Sequence, residues 1–286
     1  RRSSDLKQTY AAELQKDNYN GWYYENGQAY WYDNGVLARS KEVYDPQTDA
    51  WYWFEADGTM ARDKDVFIVL NADGTGKWTR YDSDGRMVKG ESYKNGAWYY
   101  FDTATGKMAH GKYYRDGAYY YYDTATGIMQ YGEQTIDGDE YYFDTETGAM
   151  VTGEVERDGR YYYYDDETGA MLGLGEQIVK YAEKFLGTPY TWGGTSPDTG
   201  FDCSGFTQYV YSNFGIDLDR TSSAQRRQGE AVDEDDIMLG DLVCYSGHVA
   251  IYVGNGQVIH SPQEGEVVKI SNMHMMSIIT IRRFTN

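Results

Sequence analysis

Three side chains in the last third of this 286-residue chain have the types that nucleophilic catalysis needs: Cys203, His248 and His260. Cys203 lies in TGFDCSGFTQYVY, residues 199–211. Phe206, Val210 and Phe214 follow it at helical spacing, which predicts a helix starting close to Cys203, with Asp202 as its cap. That position has a chemical use. The thiolate is the reactive form of cysteine, and a helix N-terminus favours it through its dipole and free N–H groups. A lone cysteine is more often a small buried hydrophobe, so the assignment leans on the histidines.

GHVAIYVGNGQVIHS, residues 247–261, reads as two strands around Gly-Asn-Gly. A two-residue Asn-Gly turn would pair Ile251 with His260 and put His248 and His260 on opposite faces. A three-residue loop would pair Ala250 with His260 and make the two histidines diagonal neighbours on one face. In the second case Cys203 attacks a carbonyl, His248 takes its proton and later delivers one to the leaving amine, and His260 fixes the His248 tautomer. A zinc site is the rival chemistry. It is disfavoured because no second Cys or His stands at ligand spacing beside Cys203. His110 reads as surface, and His274 has no obvious partner. No cofactor or metal is expected.

The elements that would hold these residues are legible. EQIVKYAEKFLG, residues 176–187, places Ile178, Ala182, Phe185 and Leu186 on one helical face, with Gly187 as a stop and Pro189 beyond. TPYTWGGTSPDTG is a loop by composition. Cys244, in the strand DLVCY, reads as structural. With only two cysteines, the chain has no disulfide framework, and a Cys203–Cys244 bridge would consume the nucleophile.

The preceding sequence is a repeat array. GAWYYFDTATGKMAHG (96–111), GAYYYYDTATGIMQYG (117–132), GDEYYFDTETGAMVTG (138–153) and GRYYYYDDETGAMLG (159–173) follow one another. Met87, Met108, Met129, Met150 and Met171 recur every 21 residues, as do Gly90, Gly111, Gly132 and Gly153. Each unit reads as a hairpin: an aromatic strand, a turn at D-x-x-T-G, and a return strand of K-M-A-H type. One hairpin cannot bury two aromatic faces, whereas stacked neighbours can. Residues 1–175 hold 25 of the 31 tyrosines, and that shift marks a boundary near 171–177. Residues 1–18 read as a leader or a short helix. The expected organisation is therefore an all-β array of stacked hairpins over 19–173 and an α+β domain over 176–286.

The net charge of −19 argues against nucleic acid and against plain electrostatic binding to anionic lipid. No apolar run is long enough to span a membrane. The opening RRSSDLKQTY lacks the apolar core of a secretory signal.

Residues 19–173 resemble the cell-wall-binding repeats of choline-binding proteins, and the related repeats of clostridial toxins and glucan-binding enzymes. The shared frame is G-x-W/Y-Y-Y-F/Y-D-x-x-T-G-x-M-x-x-G. In the choline-binding family a Trp after the closing Gly helps to cage a quaternary ammonium. Here Glu91, Lys112, Glu133 and Glu154 hold that place, and only GW at 21–22 keeps it. The resemblance implies retention at the wall, through its carbohydrate or teichoic acid. The net acidity works against direct capture of teichoic acid phosphates, and aromatics serving as core and spacer are an equal reading.

Residues 176–286 resemble an NlpC/P60 domain, a papain-like family of peptidoglycan endopeptidases. GTPYTWGG (187–194), FDCSGF (201–206), LDRTSSAQ (218–225) and LGDLVCYSGHVAIYVGNGQVIHS (239–261) occur in family order. The resemblance implies Cys203 as nucleophile, His248 as base and His260 as the third polar member. Tyr190, Asp202 and Ser204 match positions lining the substrate side, where Asp202 would meet a free peptide amine. Arg220 fits a family arginine, as a substrate contact or as one half of a salt bridge to an acidic loop. The implied activity is cleavage of peptidoglycan stem peptides, typically between D-γ-glutamyl and a diamino acid, by an extracellular, wall-associated protein. A non-catalytic surface adhesin and a papain-like acyltransferase are the alternatives.

Overall fold

The computed structural model describes residues 18–284, so the leader expected over 1–18 lies, but for Asn18, outside the described residues. These residues form two compact units. The first runs to Tyr131 and includes Thr145–Ala149; the second comprises Gly132–Asp144 and Met150 onward. The compositional break at 171–177 thus falls inside the second unit.

The array is built of antiparallel hairpins, and their wiring differs from the sequence expectation. The aromatic strand Ala118–Tyr122 pairs with the strand before it, Gly111–Arg115, with Tyr113 opposite Tyr120. Gly90–Lys94 with Ala97–Phe101, Gly132–Ile136 with Asp139–Phe143, and Gly153–Arg157 with Arg160–Tyr164 repeat the arrangement. The connecting turns are Asn-Gly or Asp-Gly, with both residues at positive φ, such as 51° and 88° at Asp116 and Gly117. Such two-residue turns match the twist of the strands they join. The D-x-x-T-G segment is instead a side-chain-closed loop. Asp123 Oδ1 accepts from the Thr126 N–H and from its hydroxyl, each at 2.7 Å. The K-M-A-H-like segment supplies only an isolated bridge, as between Tyr122 and Met129.

The 21-residue methionine period has a packing cause. Met87, Met108, Met129 and Met150 each lie against the T-G glycine of the following repeat. A Cβ on Gly127, whose φ is +72°, would stand 2.5 Å from the Met108 sulfur, and one on Gly169 would stand 2.7 Å from that of Met150. Only glycine meets both demands, the left-handed backbone and the close approach. Phe101, Tyr122 and Phe143 are each fully buried inside their hairpins.

The α+β arrangement expected for the C-terminal domain is observed. Six strands form an antiparallel sheet in the order Glu230–Val232, Ile278–Arg283, Leu242–Tyr245, His248–Gly254, Gln257–His260, Lys269–Asn272. The helix Cys203–Ser212 lays Phe206 and Val210 on Val249, Ile251 and Ile259 of that sheet. Each such fully buried side chain contributes ~1.5–3 kcal/mol. The helix Leu174–Glu183 adds Ile178, Tyr181 and Ala182 to the same core. It stops short of Phe185 and Leu186. Leu186 is therefore 46% exposed and not on the buried face. Gly187, at φ +86°, turns the chain into a hydrogen bond with the Val268 carbonyl.

The last hairpin is fastened to this core by side chains that imitate a neighbouring strand. Asn213 accepts from the Tyr161 N–H and donates to its carbonyl, both at 3.0 Å. Gln177 accepts from the Tyr163 N–H and donates to the Leu172 carbonyl. Lys184 reaches Glu154 at 2.6 Å and lies 3.4 Å from the centre of the Tyr161 ring.

Candidate active site

Cys203 is the first residue of its helix, and Asp202 is the cap, accepting from the Gly205 N–H at 2.7 Å. The carboxylate does more than cap. Its Oδ2 accepts from the Gly193 N–H at 3.0 Å, which fixes the preceding loop. Arg220 binds it with both terminal nitrogens, at 2.9 and 2.6 Å, and also donates to the Ser204 hydroxyl at 3.0 Å. Burial pushes the Asp202 pKa up, but Arg220 and these N–H groups outweigh it and hold the carboxyl below its ordinary value.

This makes Asp202 the joint of the nucleophile's helix. Asp202→Ala lowers the unfolding midpoint of the C-terminal domain. The expected cost is ~1 kcal/mol for the cap and ~1–3 kcal/mol for stripping Arg220 and Gly193 of their acceptor. Asp202→Asn recovers the cap and not the charge. Because the folded carboxyl has the lower pKa, its stabilisation is complete above the unfolded value and is lost as the pH falls through the folded one. The gap between wild type and Asp202→Ala therefore narrows on acidification below pH ~4. Thermal melts of the three proteins at pH 7 and pH 3.5 check both statements.

The two histidines meet through a register that combines both turn possibilities. The hairpin has the two-residue turn, with Asn255 and Gly256 at φ 51° and 69°. A bulge between Tyr252 and Gly254 then shifts the pairing by one residue, setting Ile251 opposite Ile259. His248 and His260 consequently share a face, and His248 Nε2 lies 2.8 Å from His260 Nδ1. His260 Nε2 lies 2.9 Å from the Ser271 hydroxyl. Both imidazoles are buried, at 8% and 3% exposure. Burial pushes each pKa down to about 4, and for His260 the charges of His248 and Lys269 act in the same direction. Both rings are thus neutral at pH 7. With Nε2 of His248 committed to His260, Nδ1 is the nitrogen left to serve as a base.

Cys203 is half-buried and unbridged. Burial pushes its thiol pKa up. The backbone N–H groups of Val249, Ser204 and Cys203 itself oppose this by favouring the thiolate. The resting pair is therefore thiol and neutral imidazole. Cys244 is fully buried, with its thiol pushed up to about 12.

A cleft of about 750 Å³ brings Cys203, His248 and His260 together with Tyr190, Asp202 and Ser204. Trp192, Arg220, Met275 and Met276 also line it. The sequence reading did not place Trp192 or the two methionines there, since their types carry no signal of a site. Arg220 does make a salt bridge, but to the helix cap Asp202 and not to the acidic loop expected from the sequence. His274 has a partner as well, Glu234 at 3.2 Å. His110 lies in the array, beside the Asp123 carbonyl.

The array has its own cation sites, and the chain's arginines fill them. The Arg115 guanidinium stands 3.9 Å from the Tyr120 ring centre and 4.9 Å from that of Tyr100, and pairs with Glu91 at 2.7 Å. Arg157 stands 4.1 Å from Tyr162 and 4.0 Å from Tyr142, and pairs with Glu133 at 2.9 Å. Glu91 and Glu133 hold the place after the closing glycine. There an internal guanidinium, paired with that carboxylate, makes cation–π contacts of the kind an ammonium ion makes.

The chain is similar to known proteins over two stretches. Residues 187–281 match the model of the NlpC/P60 family, and residues 73–113 and 130–173 match that of the choline-binding repeat. A probable endopeptidase p60 of Listeria seeligeri is 48% identical over 102 residues, 34% of this chain and 19% of that protein. A gamma-D-glutamyl-L-lysine dipeptidyl-peptidase of Bacillus cereus is 42% identical over 103 residues, 33% of this chain and 31% of that protein. The solved NlpC/p60 domain of the peptidoglycan hydrolase SagA is 40% identical, covering 39% of this chain and 100% of that one, with a TM-score of 0.37. The chain spans 19% and 31% of the length of these two curated relatives. It carries an NlpC/P60 domain at its C-terminal end, preceded by choline-binding repeats.

Proposed function

We propose that residues 176–286 are a cysteine endopeptidase acting on peptidoglycan stem peptides, and that residues 19–173 hold or space it at the cell wall. The observation that carries this reading is the hydrogen-bonded His248–His260 pair, neutral at pH 7, in one cleft with a cysteine at a helix start. Of the relatives named above, one is named a probable endopeptidase and the other a gamma-D-glutamyl-L-lysine dipeptidyl-peptidase. The bond proposed here is accordingly that between D-γ-glutamyl and the diamino acid.

In the proposed reaction His248 Nδ1 takes the thiol proton as the Cys203 sulfur bonds to the scissile carbonyl carbon. The N–H groups of Cys203 and Ser204, at the head of the helix dipole, suit the oxygen that becomes negative, and Tyr190 stands on the same cleft. His248 then gives the proton to the leaving amine as the C–N bond breaks. Water, deprotonated by the same imidazole, releases the γ-glutamyl acid and restores the thiol. Ser204 and Asp202 bind substrate in this reading. The Asp202 carboxylate meets a substrate amine in competition with Arg220, which already engages both of its oxygens.

The place of action is the wall, outside the cell, because the substrate is there. No helix among the described residues is long and apolar enough to cross a membrane. The arginine-filled junctions favour the array as a spacer, or as a binder of neutral wall carbohydrate, over choline capture at those two junctions. Mass spectrometry of purified muropeptides after incubation with the full chain tests the reading. New fragments ending in D-glutamate are expected, with the complementary diamino-acid peptides. Intact muropeptides of both the lysine and the diaminopimelate type would overturn it.

A further inference from the structure

Behind the two histidines stands a residue to which no role has been given. Ser271 lies on the strand Lys269–Asn272, which pairs with Gln257–His260 so that Lys269 is opposite His260 and Ser271 opposite Val258. Val258 and His260 are two residues apart and share a face. Ser271 is therefore the diagonal neighbour of His260, just as His260 is of His248. Three adjacent strands thus contribute one side chain each to a line: His248 Nε2 to His260 Nδ1 at 2.8 Å, and His260 Nε2 to Ser271 Oγ at 2.9 Å. The other charged groups acting on His260 are Lys269 and Glu266, which pair with each other.

We propose that Ser271 is a positioning residue that sets the tautomers of both histidines, and so makes His248 a base. The inference rests on the peptidase reading above. Two arrangements of protons satisfy the line. In one, His248 Nε2–H donates to His260 Nδ1, and His260 Nε2–H donates to the Ser271 oxygen. His248 Nδ1 is then bare and can accept the Cys203 proton. In the other, the Ser271 hydroxyl donates to His260 Nε2, and His260 Nδ1–H donates to His248 Nε2. His248 Nδ1 then carries the hydrogen and cannot act as a base. The first arrangement requires an acceptor behind His260, and the Ser271 oxygen is that acceptor. The same oxygen supports the positive charge that His248 acquires when it holds the thiol proton, because His260 passes the polarisation on through its own Nε2–H. An apolar side chain at 271 would leave His260 Nε2 unpaired in both arrangements, but only in the productive one would it orphan a buried N–H donor, so the preference for that arrangement is lost.

The isosteric pair Ser271→Thr and Ser271→Val separates the hydroxyl from the space it fills. Ser271→Val is expected to lower kcat on muropeptide about tenfold with KM within about twofold, and Ser271→Thr to stay within about threefold of wild type. Nitrogen NMR of the imidazoles gives a readout independent of turnover. His260 shows the Nε2–H form in wild type and Ser271→Thr, and a mixture of both forms in Ser271→Val. Thermal melts, with Ser271→Ala as a second apolar variant, verify that the folded chain is being compared. Equal tautomer patterns in wild type and Ser271→Val, or equal loss of kcat in Ser271→Thr and Ser271→Val, would overturn the proposal. Should no protein cut muropeptides, the tautomer comparison still decides the role of Ser271, while the peptidase reading fails on its own.

Discussion

Cys203→Ala leaves no measurable cleavage of stem peptides, while Cys244→Ser retains activity within a few-fold of wild type. The two thiols differ in everything that governs reactivity. Cys203 heads a helix, lines the cleft and receives N–H groups from Val249 and Ser204. Cys244 is inside the sheet core, its thiol pushed up to about 12, with the Leu242 carbonyl 3.8 Å away. At pH 7 its thiolate is absent in practice, and no alkylating reagent reaches it without unfolding. Iodoacetamide is therefore expected to label Cys203 alone in the native chain, in step with loss of activity, and to label both cysteines in denaturant. Peptide mapping after partial alkylation gives the site, and residual activity gives the correlation. Labelling of Cys203 with activity retained would remove it from the reaction. Cys244→Ser costs some stability instead, because it puts a hydroxyl into an apolar core, so its activity is compared at a temperature where both proteins are folded.

Much of this site was legible before the structure, and the reasons differ from residue to residue. Cys203, His248 and His260 are rare types, and the apolar spacing of Phe206, Val210 and Phe214 is enough to put a helix start at the cysteine. The relation of the two histidines was legible only as a choice between two registers. The residue that decides it is the bulge beyond Tyr252, and a bulge adds one residue to a strand without changing its composition. Ser271 was not legible at all. Serine is common, and its relevance comes from pairing with a strand eleven residues away. The Asp202–Arg220 pair spans eighteen residues of loop and helix, so the sequence assigned Arg220 to an acidic loop or substrate and Asp202 to a substrate amine without joining them. In the array the period was plain and the hairpin was misjoined. Both D-x-x-T-G and Asn-Gly or Asp-Gly are turn signals, and the period alone does not say which one closes the ladder. The positive φ at both residues of the dipeptide does.

His248→Ala lowers kcat/KM by about 10³-fold near neutral pH, within the range for a lost general acid–base group, and it also changes the shape of the pH profile. In wild type the reactive state is the pair carrying one proton, whether written as thiol with imidazole or as thiolate with imidazolium. Burial sets its limits. The imidazole becomes protonated only near pH 4, and the thiol ionises only above its ordinary value. Wild-type kcat/KM is therefore flat from about pH 5 to about pH 8, with a tenfold fall per unit below about pH 4. Without His248 the thiolate arises only by simple ionisation, so the residual rate rises about tenfold per pH unit across the same range. A plateau thus turns into a slope, which loss of folding would not produce. The same buried imidazoles limit the acid end in another way. Their folded pKa of about 4 lies below the unfolded value, so the unfolded chain binds more protons between these values and the domain loses stability as the pH falls from ~6.5 toward 4. Circular dichroism from pH ~6.5 down through the acid limb separates the two effects. An acid limb that appears while the signal of the folded domain is intact belongs to His248. If the variant kept the wild-type plateau at reduced height, His248 would not be the base.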